Sequence, residues 1–360
     1  MREGWEIKKL GDICDIKNGR SQKSVENPNG HYPIYGSGGV MGYADDFICK
    51  AGTTIVGRKG TINKPLFVDC DFWNVDTAFG LQPKPKTNPR FLFYTCKSID
   101  FNRYNKSTTL PSLVKSDLMK INIPVPPVQE QEKIVAELDS LSGIIEKKKQ
   151  QLKELDNLAQ SIFYDMFGDP ITNEKGWEVK CIGDVCSLKS GNSNANNSAP
   201  GDLPYVKVGD MGIPGNESRI TTSSQFVSRD DNRKGIFPIG TTIFPKRGGA
   251  IYTNKKRLTA IEICCDLNTM GVIPNKEVLH PLYLFHYFLW LDLGTLCNGA
   301  AIPQLNNCDI APLKIEVPSL DIQKTFARKI EAIEKQKELI KKSIQETETL
   351  YDSRTDYWFN

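Results

Sequence analysis

Residues 4–21 read GWEIKKLGDICDIKNGRS, and residues 176–193 read GWEVKCIGDVCSLKSGNS. Ten of the eighteen aligned positions are identical, and Ile/Val or Ile/Leu exchanges fill four more. Internal repetition constrains architecture more tightly than any single motif, because each copy has to fold as the same kind of unit. A period near half of the 360 residues is far too long for a solenoid. It predicts two similar domains and approximate two-fold symmetry, and it makes a two-fold ligand the natural partner to look for.

The duplication continues along each half. Gly52-Thr53-Thr54-Ile55 matches Gly240-Thr241-Thr242-Ile243, and each is followed by a basic, glycine-bounded loop, Arg58-Lys59-Gly60 or Lys246-Arg247-Gly248. PRFLF at 89–93 matches PLYLF at 281–285, STTLPSL at 107–113 matches GAAIPQL at 299–305, and INIPVPP at 121–127 matches LKIEVPS at 313–319. The offset grows from 172 to 188 to 192, so the second copy is about twenty residues longer, mostly before Gly240. Fixed landmarks separated by variable lengths describe surface loops on a common scaffold. Short β-branched and aromatic runs at 53–56, 66–68, 241–244 and 261–264 are bounded by Gly, Pro, Asn and Asp, which predicts strands and turns. One helix per block is expected around 88–101 and 280–296. The fold class is therefore α+β, as two similar α/β domains whose sheet topology the pattern leaves open.

Each block ends at prolines (Pro124, Pro126 and Pro127; Pro318) and runs into a long polar segment. In the first segment apolar residues fall at Ile134, Leu138, Leu141, Ile145, Leu152, Leu155, Ala159 and Ile162. In the second they fall at Phe326, Ile330, Ile333, Ile340, Ile344 and Tyr351. The alternation of three and four is a heptad stripe. A helix of 38 residues would be about 57 Å long, more than a small domain's diameter. Pairing of the two helices as an antiparallel coiled coil is therefore expected over the alternative, in which each covers its own domain. Lys148 and Lys337 interrupt the stripes near their middles, which predicts one shared layer with the ammonium groups reaching acids such as Glu146 or Glu338. Replacing both lysines with leucine would then raise stability. The expected division is 1–127 and 170–318 for the two domains, with 128–169 and 319–360 as spacer helices.

The 46 Lys/Arg and 43 Asp/Glu residues leave a net charge of +3, but its distribution is uneven. Residues 1–127 carry 18 basic against 12 acidic side chains, residues 128–169 carry 5 against 9, and residues 170–318 carry 15 against 14. The excess in the first block argues for an anionic partner. Arg58, Lys59, Lys64, Lys246, Arg247, Lys255, Lys256 and Arg257 lie in glycine-bounded loops at matching places and are candidate DNA contacts, arginine for guanine edges and lysine for phosphates. The polar loops at 18–24 and 190–197 could also read bases. No run of about 18 apolar residues and no secretory leader is expected to direct the chain to a membrane. Ten cysteines without a C-x-x-C pair, and only three histidines, argue for reduced thiols and against a zinc site. Duplex DNA repeats its major groove every 34–36 Å, so two readers on a rigid spacer would recognise a bipartite site with an unread middle. Since the loops differ between the blocks, the site would be asymmetric.

This organisation resembles the specificity (S) subunit of Type I restriction-modification systems. The resemblance covers essentially the whole chain, through the duplicated G-W-E-x-K-x-x-G-D-x-C opening, the G-T-T-I block, the exit strands IPVPPVQEQEKI and IEVPSLDIQKTF, and the two long helices. It implies a cytoplasmic, non-catalytic subunit whose two target-recognition domains each read half of a split DNA site. The helices would set the spacing and dock two methyltransferase (modification) subunits, with restriction subunits joined to that core. Adenine-N6 methylation with S-adenosylmethionine would belong to the modification subunits, and the chain itself would hold no cofactor. It also implies that the loops before Leu110-Pro111 and Ile302-Pro303 lie close to DNA. The first contains Arg103, Asn105, Lys106, Ser107 and Thr108, and the second Asn298, Gly299 and Ala300, which lack the basic residues. The chain contains no [DN]-P-P-[YF] motif for a flipped adenine and no G-x-x-x-x-G-K-[ST] loop. Two other readings remain: a coiled-coil scaffold with two protein-binding heads, and a stand-alone restriction or methylation enzyme.

Overall fold

The computed structural model describes residues 2–192, 201–297 and 302–359. They form two compact units, Met1–Gln150 with Lys341–Asn360, and Gln151–Ile340.

In the first unit the opening strand Glu6–Lys9 pairs antiparallel with the exit strand Asn122–Val125, with Ile7 opposite Pro124. The repeated opening and the proline-rich exit thus close the block on itself. A short helix, Leu10–Ile13, leads into a four-stranded antiparallel sheet in the order Cys14–Asn18, Ala78–Pro83, Thr53–Gly57, Leu66–Val68. A smaller sheet joins Gly39–Ala44, Tyr32–Gly36 and Trp73–Asn74. The core lies where helix Pro89–Ser98 sets Leu92 and Cys96 against Val56, Phe79 and Leu81.

The second unit repeats the plan. Glu178–Cys181 pairs with Lys314–Val317, with Val179 opposite Glu316. Its main sheet runs Cys186–Ser190, Thr269–Pro274, Thr242–Pro245, Arg257–Thr259, Arg219–Ile220. The last of these strands, which pairs in parallel, falls within the extra length before Gly240. The G-T-T-I landmark marks a turn in both copies: Gly52 and Gly240 adopt φ of +80° and +88°, where a side chain would be strained.

The block helices are shorter than their sequences suggest, Pro89–Ser98 and Pro281–Trp290. Each starts with proline in its first turn behind a capping residue, Asn88 or His280. Each is followed by a separate 3-10 turn, Phe101–Tyr104 or Leu293–Leu296, begun by the carboxylate of Asp100 or Asp292 accepting a backbone N–H two residues on.

The long helices span Val128–Phe167 and Leu320–Phe359. Within the first unit the start of one runs antiparallel to the end of the other: Glu137 binds Arg354 and the Trp358 indole (2.8 Å), and Lys149 pairs with Glu348 at 3.2 Å. Within the second unit Asp156 meets Lys337 at 2.7 Å, and Phe163 packs edge-on against Phe326. Ile134, Leu138, Ile145, Phe326, Ile330, Ile333 and Ile344 are buried, while Leu141, Leu152, Leu155 and Ile340 are half-buried. The stripe serves both uses weighed from the sequence. Phe326, Ile330 and Ile333 join Phe163 and Phe167 of the other helix and Tyr283 and Leu284 of the block in one core.

Of the two stripe lysines only Lys337 reaches acids as expected, and not those named. Lys148 donates to Ser343 Oγ (2.6 Å), Ser343 O (3.4 Å) and Thr347 Oγ1 (3.2 Å), not to Glu146. Lys337 takes Asp156 Oδ1 (2.7 Å) and Glu334 Oε1 (2.8 Å), not Glu338. Each finds acceptors one helical turn away or directly across, so Glu146 and Glu338 are not called on.

Candidate nucleic-acid interface

Two landmarks about fifty residues apart in each block come together as a backbone clip. In the first unit Gly60 N donates to Pro111 O (2.9 Å) and Leu113 N to Arg58 O (2.9 Å), with Lys59 bridged to Ser112. In the second, Gly248 N donates to Pro303 O (2.8 Å) and Leu305 N to Lys246 O (2.8 Å), with Arg247 bridged to Gln304. The same pairing at equivalent residues joins the basic loop to the Leu-Pro or Ile-Pro loop, leaving different side chains on an otherwise identical frame.

On the first clip Arg58 is exposed, with Nη1 3.4 Å from Asp76 O and its guanidinium 5.9 Å from the Phe79 ring centre. The ammonium groups of Lys59 and Lys64 are exposed and have no partner among the described residues. Asn105 shapes the neighbouring loop: its Oδ1 accepts from Ser107 N (3.0 Å) and Ser112 N (2.9 Å), and its Nδ2 donates to Ser107 O (2.8 Å). That arrangement half-buries Ser107 and exposes Thr108. Lys106 reaches Asp117 at 3.3 Å and Arg103 reaches Asp100 at 3.6 Å; both side chains stay mostly in solvent. The fold also gathers Asn18 and Arg20, from one of the polar loops singled out in the sequence, with Lys17 and Lys115, which the sequence reading passed over. Lys17, Asn18, Arg20 and Lys115 line an open groove of about 620 Å³ beside Trp73. Lysine and arginine recurring around one sheet end would have been the signal, but Lys115 joins it through the fold alone.

The second clip differs. Lys246 turns inward, donating to Ser190 Oγ at 2.9 Å; burial, aided by the charge of Arg247, lowers its pKa. Arg247 is exposed and donates from Nη2 (3.2 Å) and Nε (3.4 Å) to Gln304 Oε1, while Gln304 Nε2 donates to Asn306 Oδ1 at 2.7 Å. Lys255 is half-buried at the rim of a cavity of about 420 Å³ that also holds His286. Lys256 is a correction: it is 2% exposed, and its ammonium donates to Asn254 Oδ1 (2.8 Å) and Leu291 O. Burial depresses its pKa to about 8. Arg257 likewise faces inward, onto Met211 O (2.8 and 3.1 Å) and Lys256 O (2.7 Å). Both tie loops together because the strand Arg257–Thr259 begins here and draws the basic run into the sheet. Asn298, Gly299 and Ala300, and residues 193–197 of the other candidate loop, lie outside the described residues.

A pair of glutamines was also missed. Gln131 is buried, accepts from Asn88 N (2.8 Å) and donates to Pro126 O (3.0 Å) and Lys86 O (3.2 Å). Gln323 repeats this with His280 N (2.8 Å), Pro318 O (2.8 Å) and Val278 O (3.0 Å). Each amide fastens the first turn of a long helix to its block. The available signal was their identity at aligned positions inside an otherwise variable polar segment.

Among the described residues no helix is long and apolar enough to cross a membrane. Nor do any three His, Cys, Asp or Glu side chains there come together as a metal site.

A repeated α+β block closed by its own opening and exit strands, with a clip of constant backbone and changing side chains, defines a duplicated recognition module. The model of the Type I restriction modification DNA specificity domain matches the chain twice, over residues 2–157 and 174–349, and the chain belongs to this family. It is 25% identical to the Type I restriction enzyme MjaIX specificity subunit of Methanocaldococcus jannaschii, covering 89% of this chain and 85% of that one. It is 22% identical to the MjaVIII specificity subunit of the same organism, covering 96% and 90%. The crystal structure of the Type I restriction-modification S subunit from M. genitalium superimposes with a TM-score of 0.63 at 17% identity, over 99% of this chain and 96% of that one. A chain from work on assembly and conformational transition of the Type I system gives 0.57 at 18%, over 99% and 97%. The fold of this Type I specificity subunit is thus shared along its length.

Proposed function

We propose that the chain is the DNA-reading, non-catalytic subunit of a Type I restriction-modification complex, and that each block recognises one half of an asymmetric, bipartite duplex site. The observation that carries this is the clip: the same backbone pairing holds both basic loops, while the side chains it presents differ. Constant frame with variable display is what reading two different half-sites requires. The two 40-residue helices, each about 60 Å long, set the distance between half-sites and dock two methyltransferase subunits. S-adenosylmethionine is bound by those partners, and restriction subunits join the same core. Arg58, Lys59, Lys64, Arg103, Lys106, Ser107 and Thr108 face DNA in the first block, and Arg247, beside the inward-turned Lys246, in the second.

The test is to express the subunit with its cognate methyltransferase and map N6-methyladenine across the genome. An asymmetric motif with two specified parts and an unspecified middle is expected. A contiguous motif, or methylation unchanged when this subunit is omitted, overturns the proposal.

A further inference from the structure

The two clips share a backbone register, so residues facing each other across them can be compared place by place. Lys59 opposite Ser112 in the first unit corresponds to Arg247 opposite Gln304 in the second. The consequences for the cation differ. Serine is too short to reach the Lys59 ammonium, which stays exposed on a flexible stem. Gln304 does reach, and its carbonyl oxygen takes both Nε and Nη2 of Arg247. Asn306 in turn accepts from the Gln304 amide nitrogen, which fixes which end of the amide faces the arginine. A guanidinium has five N–H groups. With Nε–H and one Nη2–H turned to Gln304, the end-on pair from Nη1 and Nη2 is a planar fork with no partner among the described residues.

We propose that Arg247 reads a guanine in the half-site bound by the second block, with Gln304 as its positioning residue, while Lys59 at the same place in the first block holds a phosphate. This rests on the DNA-reading role proposed above. A fork of that geometry matches the O6 and N7 acceptors of guanine in the major groove. Holding it in place before binding removes ordering cost and sharpens the penalty for a wrong base. A freely rotating ammonium suits a phosphate, which accepts from many directions. The charge distribution agrees: residues 1–127 carry 18 basic against 12 acidic side chains, but residues 170–318 only 15 against 14. Phosphate attraction therefore weighs more in the first block, and readout has to weigh more in the second.

The experiment uses the full chain with its methyltransferase subunits and the mapped motif. Binding is measured over a salt series on the wild-type duplex and on duplexes changed at single positions of each half-site, for R247A, R247K, Q304A and K59A. R247K is expected to lose discrimination at one G·C pair of one half-site by ~10–100-fold while keeping its charge. R247A and Q304A go the same way, Q304A less far. K59A is expected to weaken every duplex equally, leave the motif intact, and reduce the slope of log K against log salt by about 0.9. An R247K complex that still discriminates as wild type does, or an R247A complex that weakens all duplexes alike, overturns the assignment. A wild-type complex that selects no sequence overturns the DNA-reading proposal itself, so the two failures are distinguishable.

Discussion

At the scale of single residues, a run of basic side chains divides by direction, and direction is what the sequence did not record. Lys255, Lys256 and Arg257 read alike in one dimension, yet Lys256 points into the protein and caps Leu291 O at the end of the block helix. Burying its charge lowers its pKa to about 8, against about 10.4 for an unfolded lysine. The folded state then binds fewer protons than the unfolded state between those values, so stability rises with pH in that window. The penalty is fully present below pH 8 and has gone once both states are neutral. Relative to K256M, the wild-type melting temperature should therefore climb between about pH 8 and pH 10. A difference that stays flat from pH 7 to 10.5 would show that the charge is not strained. Arg58 and Lys59, by contrast, were legible as surface cations, because a loop bounded by Gly57 and Gly60 has no apolar side chain to draw them inward.

At the scale of elements, the heptad stripe gave the long helices and their pairing, since a three-four alternation lines one face of each helix, although part of that face also packs on the block. It could not give the partners of the polar interruptions, which depend on axial register. Lys337 is 11% exposed between two carboxylates, so K337L strands Glu334, itself 22% exposed, and should lower stability by about 1–2 kcal/mol. Lys148 has only hydroxyl and carbonyl acceptors. K148L should be neutral or mildly stabilising. Chemical denaturation of the two single variants checks this, and equal effects would count against the argument. The glutamine anchors make a larger prediction. Q323A leaves His280 N–H and two carbonyls without their partner in a buried place, where each unsatisfied group costs about 1–3 kcal/mol. A loss of at least about 2 kcal/mol is expected for Q323A and for Q131A alike. Q323E, which keeps the acceptor for His280 but loses the amide donor, should retain only part of it. Their identity at aligned positions was legible but their role was not, because Gln131 is held by loop 86–88 and Gln323 by loop 278–280, neither of which is a neighbour in sequence.

At the scale of the whole molecule, the duplication told more than any residue pattern, because matching landmarks had to occupy matching places in two folds. It set matching landmarks in two similar blocks, but not the pairing of opening and exit strands that closes each block, the clips that join the landmarks, or the sheet order. Nothing in the landmarks says that Ala78–Pro83 lies between Cys14–Asn18 and Thr53–Gly57, a consequence of how loops of unlike length are threaded. The equivalence of the clips has a consequence that can be built. If the clip is a frame and its side chains are the display, the display can be moved without disturbing the frame. Placing arginine at Lys59 and glutamine at Ser112 reproduces the Arg247–Gln304 pair on the first clip, where the bridge between those positions already exists. Both sites lie at the surface or close to it, so the fold should tolerate K59R/S112Q within about 0.5 kcal/mol. With the methyltransferase partner present, the mapped motif should gain or shift a guanine preference in one half and keep the other half unchanged. K59R alone should do so weakly, since its guanidinium lacks the glutamine that orients it. A change spread over both halves would mean that the blocks do not read independently, and an unaltered motif with unaltered affinity would remove the first clip from the DNA surface.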